Sequence, residues 1–216
     1  MVYHMGRITK IEVQKRRPGR RSIFHDGEFL CGLDALVVER LGLREGIELT
    51  PGEIDRLIAE EELHQAKEKA LRLLYYRLRS RKEMEARLRN RGFSSKVIER
   101  VIEDLSKVGL IDDMEFARAL VRERLSNRGK KAIEMELARK GVPDDLIKVV
   151  ISELLDSDDE ERVAQEVARK RISQYRHLPL KVARRRLRNY LLRRGFDHEV
   201  VRRTIEAAIE YINEMG

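Results

Sequence analysis

The residues of this chain whose types and spacing could do chemistry are cations. In LPLKVARRRLRNYLLRRG, Lys181, Arg184, Arg185 and Arg188 recur at i, i+3, i+4 and i+7. That spacing is one face of a helix, and the row contains no acid. Ala183, Leu187, Tyr190 and Leu191 fall on another face as an inward stripe. A second cluster, Arg79, Arg81, Lys82, Arg87, Arg89 and Arg91, lies in RSRKEMEARLRNRG and wraps more of its helix. Guanidinium forks match carboxylate and phosphate oxygens alike, so either cluster can hold an acidic protein face or a nucleic-acid backbone. The plainer reading is a solvated face with local ion pairs, such as Arg81 with Glu85 at i+4. It suits the earlier cluster better than the later row, where a dense run of one sign lacks a counter-charge.

Other chemistries lack their residues. There is no G-x-x-x-x-G-K-[ST] loop and no H-E-x-x-H pair. His4, His25, His64, His177 and His198 are scattered, none with a Cys or carboxylate at metal-ligand spacing, so no metal and no cofactor is expected. Cys31 sits in a predicted strand and reads as a small buried apolar residue rather than a nucleophile. DSDDEER, residues 156–162, is acidic but lacks the glycine and twelfth-position glutamate of a calcium loop. Acids opening a helix explain it instead. The chain is therefore expected not to be an enzyme.

Composition agrees with a binding role. Of 216 residues, 42% are hydrophobic and 39% charged, with a net charge of +8, which favours an acidic partner. The positive excess is concentrated at residues 63–112 and 160–216, +6 in each, while 1–62 and 113–159 are each −2. No apolar run approaches a membrane span, MVYHMGR lacks the apolar core of a signal peptide, and the single cysteine allows no intrachain disulfide. A cytoplasmic protein is expected, monomeric and without membrane contact.

The elements that must position the cations repeat. LRNRGFSSKVIERVIEDL, LARKGVPDDLIKVVISEL and LLRRGFDHEVVRRTIEAA align on Gly92, Gly141 and Gly195. Leucine stands four residues before each glycine (Leu88, Leu137, Leu191) and a bulky apolar residue one after it (Phe93, Val142, Phe196). A glycine just past a helix end takes the left-handed conformation, and the next residue then meets the side chain at C3. That residue also precedes the next N-cap and can staple to Ile98, Ile147 or Val201. Ser94 and Asp197 suit those N-caps; Pro143 is a poor cap, and the boundary there is expected to shift to Asp144. The helix after each corner shows an i, i+1, i+4, i+5 apolar face. The helix before the first corner opens with a Ser80–Glu83 capping box, and Pro179 suits the first turn of its counterpart in the third repeat. A further helix precedes each pair, with stripes Leu71-Leu74-Leu78, Phe116-Leu120-Val121-Leu125 and Val163-Val167-Ile172. Three-helix repeats of this size gain stability by stacking in series.

The region before them differs. ITKIEVQ alternates with period two, and Asp26-Gly27 between apolar runs signals a hairpin pairing Phe24 with Phe29 and Ile23 with Leu30. QKRRPGRRS reads as a basic loop joining the first two strands; its stretch Lys15 to Arg21 is either solvated or a second nucleic-acid contact. Asp34 can cap a short helix over Ala35 to Leu41, and Thr50-Pro51-Gly52-Glu53 opens the next. The expected fold is mainly α. Three tandem three-helix repeats in an elongated array (63–112, 113–157, 158–216) follow an N-terminal region (1–62) with a sheet of about three strands.

From about Ala70 onward the chain resembles the RecX family of recombinase regulators. The likeness rests on ALRLLYYRLRSRKEMEARLRNRGF, the glycine-corner helix pair, and VGLIDDMEFARALVRERL. Leu73, Arg77, Ser80, Glu83, Leu88, Gly92 and Phe93 occur in order, followed by Gly109, Leu110, Asp112, Phe116 and Ala117. The resemblance implies three tandem three-helix repeats. It also implies a protein that binds the RecA recombinase filament on single-stranded DNA and modulates it, usually by restraining strand exchange and ATP hydrolysis. It supplies no catalytic residue. The alternative is a basic helical DNA-binding module with non-specific phosphate contacts and no recombinase partner. A base-reading helix-turn-helix is disfavoured, because the helices after the corners expose Glu99, Glu103 and Asp104, and Asp144, Asp145 and Glu153, which would repel flanking phosphates.

Overall fold

The computed structural model describes residues 4–155 and 157–215. Four strands, β1 (Gly6–Gln14), β2 (Arg17–His25), β3 (Glu28–Asp34) and β4 (Glu48–Leu49), form an antiparallel sheet in the order β3-β2-β1-β4. The helices are α1 (Ala35–Arg40), α2 (Pro51–Tyr76), α3 (Arg81–Arg89), α4 (Ser95–Lys107), α5 (Asp113–Arg124), α6 (Lys130–Arg139), α7 (Asp144–Leu154), α8 (Ser157–Ile172), α9 (Leu180–Arg193) and α10 (His198–Met215). The chain divides into two compact bodies. One holds the residues up to Arg77 with Met84–Leu110; the other holds Leu78–Glu83 with Ile111 onward.

In the first body, Asp26 (φ 49°) and Gly27 (φ 86°) both take the left-handed conformation that a two-residue hairpin turn requires. Phe24 pairs with Phe29 as expected, but Ile23 faces Cys31 rather than Leu30, because a bulge intervenes. A second irregularity follows Ile8 in β1, where the Thr9 hydroxyl accepts from the Gly27 N–H at 2.9 Å. It breaks the period-two pattern, so Ile8 is buried while Val13 is 56% exposed. The expected basic loop is only the turn at Lys15 and Arg16; Arg17 to Arg21 belong to β2. Arg20 is spent on structure, donating to Glu61 Oε1 at 2.7 Å and to the Gly32 carbonyl at 2.6 Å. Glu61 is buried and also accepts from the Asp34 N–H and from Gln65, so its charge is compensated. Cys31 is half-buried, and its thiol is pushed up to about 11 by burial, which keeps it protonated and unreactive.

Ile8, Ile23, Leu33, Leu49, Ile54 and Leu57 form the core under the sheet. Asp34 caps α1 through the Leu36 N–H, and Thr50 with Glu53 forms the expected capping box of α2. That helix then runs 26 residues without a break to Tyr76. Ala66 and Ala70 are fully buried on it, whereas Leu71 and Leu78 are 41% and 48% exposed. The expected Leu71-Leu74-Leu78 stripe is thus rotated, and Leu78 lies beyond the helix.

The glycine corners take the expected form. Gly92, Gly141 and Gly195 have φ of 87°, 82° and 84°. The N–H of each following residue donates to the leucine carbonyl at C3: Phe93 to Leu88 at 3.4 Å, Val142 to Leu137 at 3.2 Å, Phe196 to Leu191 at 3.4 Å. Each glycine N–H donates three residues back, at 2.9 Å. These two bonds define the Schellman motif. Beyond the corners the caps differ from expectation. Ser94 occupies the N-cap without a side-chain bond, Pro143 stays at the N-cap with Asp144 already helical, and Pro179 precedes α9 as its N-cap. Asp197 accepts from the Glu199 N–H as expected. The second and third repeats each bury a core of their own, one built on Phe116, Ile133, Leu137, Val150 and Ile151, the other on Ile172, Leu187, Leu191, Phe196 and Val201.

Within the second body each corner docks on the start of an earlier helix. Ser80, fully buried, donates its hydroxyl to the Lys140 carbonyl at 2.6 Å and accepts from the Glu83 N–H at 3.1 Å. The Glu83 carboxylate meets the Lys140 ammonium rather than only closing a capping box. One repeat later, Gly129 N–H donates to Arg194 O at 2.9 Å and Lys131 N–H to Gly195 O at 3.1 Å. Ser80→Ala removes a cap and leaves a part-buried carbonyl without its donor, so it is expected to destabilise the protein by about 1–2 kcal/mol in urea unfolding.

Candidate binding surface

The helix α9 begins after Pro179 and ends at the Gly195 corner, so both of its faces are set. Ala183, Leu187 and Leu191 are buried and fix its rotation. Tyr190 is half-buried, with the Arg171 and Arg194 guanidinium groups each 4.8 Å from its ring centroid. That rotation turns Lys181, Arg184, Arg185 and Arg188 to solvent together, as their spacing requires. With Asn189 they form one wall of a groove of about 640 Å³. The other wall is α10, through His198, Glu199, Arg202 and Glu206.

The electrostatics of the groove are one-sided. Among the described residues none of Lys181, Arg184, Arg185 and Arg188 has an ion pair or a side-chain hydrogen bond. The two acids on the α10 wall are already taken: Arg202 pairs with Glu199 through Nη2 and with Glu206 through Nη1 at 3.1 Å. The Arg202 hydrogen bond lowers the Glu199 carboxyl below its ordinary range and raises the guanidinium in return. The groove therefore presents four unpaired cations and an amide on one wall, against two acids and one guanidinium on the other, and stays net positive. It can accept an anionic chain, carboxylate or phosphate.

The earlier cluster divides. Arg79 is buried at 9% exposure and, like Arg81, is engaged by other residues of the fold. The Arg81 N–H also donates to Asp113 Oδ1 at 2.8 Å. Lys82 lays its stem against Gly141. These three belong to the second body, whereas Arg87, Arg89 and Arg91 stand exposed in the first. Arg79 is thus a structural residue, against the expectation that it joins an exposed cluster. Of the expected set, the structure brings together only the four cations of α9. The α10 wall was not foreseen, because Glu199, Arg202 and Glu206 sit at i, i+3 and i+7 and read as ordinary surface pairing; only their place opposite the stripe gives them a role.

No described helix is long and apolar enough to cross a membrane. Comparison with known proteins adds the following. Family profiles match four stretches: "Regulatory protein RecX N-terminal domain" at residues 6–50, and the first, second and third three-helix domains of RecX at 66–105, 112–151 and 158–205. The chain is 31% identical to Regulatory protein RecX of Clostridium perfringens (strain SM101) over 90% of this chain and 92% of that one. It is 32% identical to Regulatory protein RecX of Bacillus subtilis (strain 168) over 96% of this chain and 78% of that one. A crystal structure of regulatory protein RecX superposes with a TM-score of 0.71 at 25% identity, covering 90% of this chain and 96% of the other.

Proposed function

The chain belongs to the RecX family of regulatory proteins, and on that footing we propose that it binds the RecA recombinase filament on single-stranded DNA and restrains its strand exchange and ATP hydrolysis. The observation that carries this reading is the α9 wall: four cations in register, unpaired among the described residues, facing two acids that share Arg202. A row of one sign is completed by a counter-charge from outside. On a recombinase filament that charge comes from a carboxylate of the protein or a phosphate of its DNA. The chain acts by occupancy. Covering surface that strand exchange needs restrains the filament without any covalent step. The protein does this in the cytoplasm, as a monomer, without a cofactor.

The test is co-sedimentation with recombinase filaments assembled on single-stranded DNA, with naked single-stranded DNA in parallel. Retention on filaments well above naked DNA, with a fall in filament ATP hydrolysis, is the expected result. Equal retention on naked DNA, with steep salt dependence and no sequence preference, favours a basic DNA-binding module without a recombinase partner and overturns the first reading.

A further inference from the structure

The lead-in to β1 and the turn between β2 and β3 bring together three side chains that no role above accounts for: His4, His25 and Asp26. One donor atom of each lies within 4.8 Å of the other two. His4 Nε2 stands 3.3 Å from Asp26 Oδ2, and His25 Nδ1 stands 3.9 Å from the same oxygen. The imidazole centroids are 5.6 Å apart. At 3.9 Å the His25 contact is too long for a hydrogen bond. His25 is only 6% exposed, and its Nε2 is buried without a hydrogen-bond partner among the described residues. It is the other ring nitrogen, Nδ1, that approaches Asp26. Asp26 Oδ1 is occupied by the Arg7 N–H at 3.0 Å, which leaves Oδ2 facing the two rings. Gly6 makes the room: a Cβ there would lie 1.9 Å from Asp26 Oδ2 and 2.6 Å from His25 Cε1.

We propose that His4, His25 and Asp26 form a binding site for a divalent transition-metal ion of the zinc class. Two imidazoles and one carboxylate suit zinc, cobalt or nickel, whereas calcium and magnesium take oxygen ligands throughout. Ligands about 2.1 Å from a metal stand roughly 3.0–3.5 Å from one another. The observed 3.3 Å already fits that spacing; the 3.9 Å contact and the separation of the two imidazole nitrogens, within 4.8 Å, have to tighten. With Nδ1 on the metal, the His25 proton sits on Nε2. His4 is exposed, so the remaining coordination positions are open to water. The bound ion ties the segment before β1 to the hairpin turn and stabilises the first body by mass action. The site is hidden in the sequence because His4 lies far from His25 and Asp26 along the chain; only antiparallel pairing of β1 with β2 makes them neighbours.

The experiment titrates the full chain with zinc chloride by calorimetry and with cobalt chloride by visible absorption, alongside thermal unfolding. His4→Ala and Asp26→Asn are the test variants. The first removes an exposed ring, and the second keeps a residue tolerated in the left-handed conformation; far-UV circular dichroism verifies their folds. His64→Ala is the control. One ion per chain is expected, with affinity reduced at least about tenfold by each test variant and unchanged by the control. Absence of binding at micromolar metal, or binding that both test variants retain, overturns the assignment. The outcome is independent of recombinase binding.

Discussion

Replacing Arg184, Arg185 and Arg188 together by Ala is expected to weaken retention on recombinase filaments on the order of a hundredfold, taking about 1 kcal/mol for each charge lost from an interface. The fold should be indifferent to the change. All three side chains are exposed, and none has an ion pair among the described residues, so thermal and urea unfolding should match the parent protein. The salt dependence then identifies the counter-charge. If the three guanidinium groups lie on single-stranded phosphates, the slope of log K against log salt falls by about two. If they lie on carboxylates of the recombinase, affinity falls while counterion release changes less. The triple Arg→Lys variant separates charge from shape, because an ammonium keeps the charge and loses the bidentate fork. The companion variant, Arg87, Arg89 and Arg91 to Ala, asks the same of the first body. Retention of the α9 triple at the parent level removes that stripe from the binding surface.

How much of this was legible in the sequence depends on how local the determining physics is. The corners at Gly92, Gly141 and Gly195 were legible because a Schellman turn needs its glycine, its leucine at C3 and its following apolar residue at fixed offsets. The α9 stripe was legible for the same reason, since helix period alone places its four cations. Strand register was not, because the irregularities after Ile8 and Ile23 are settled by bonds such as Thr9 to Gly27 across the sheet. The fourth strand was missed because Glu48–Leu49 is too short to alternate. Arg79 was placed outside by composition and is drawn inside by its surroundings, which no window of neighbouring residues contains. The Glu61 site was equally silent: Arg20 was read as part of a basic loop until the fold set a buried carboxylate against it.

The corners also carry the second large prediction, which asks whether they do more than turn the chain. Gly92→Ala places a Cβ in open space at φ 87°, so only the left-handed backbone is penalised, by about 1 kcal/mol. At Gly141 the new Cβ would fall 2.2 Å from Lys82 Cδ and 2.5 Å from Lys82 Cβ; the Cδ can swing aside but the Cβ is fixed to the backbone, so Gly141→Ala should cost about 2–3 kcal/mol. Gly195→Ala goes further. Its Cβ would lie 2.3 Å from both the backbone N and the Cβ of Ala132, neither of which can move without opening the contact. Overpacking then adds to the left-handed penalty, for a total of about 3–5 kcal/mol. Gly129 is the other side of the same junction. Its φ is −79°, so Gly129→Ala incurs no backbone penalty, yet its Cβ would stand 2.3 Å from the Phe196 nitrogen. The Gly129→Ala/Gly195→Ala double variant should therefore be less damaging than the sum of its parts, since either change alone already parts the two hydrogen bonds that join Gly129 and Lys131 to Arg194 and Gly195. Urea unfolding of the four single variants and the double decides the matter. A Gly195→Ala protein no less stable than Gly92→Ala would mean that the third corner merely reverses the chain, and that the docking of one repeat on the next contributes nothing to stability.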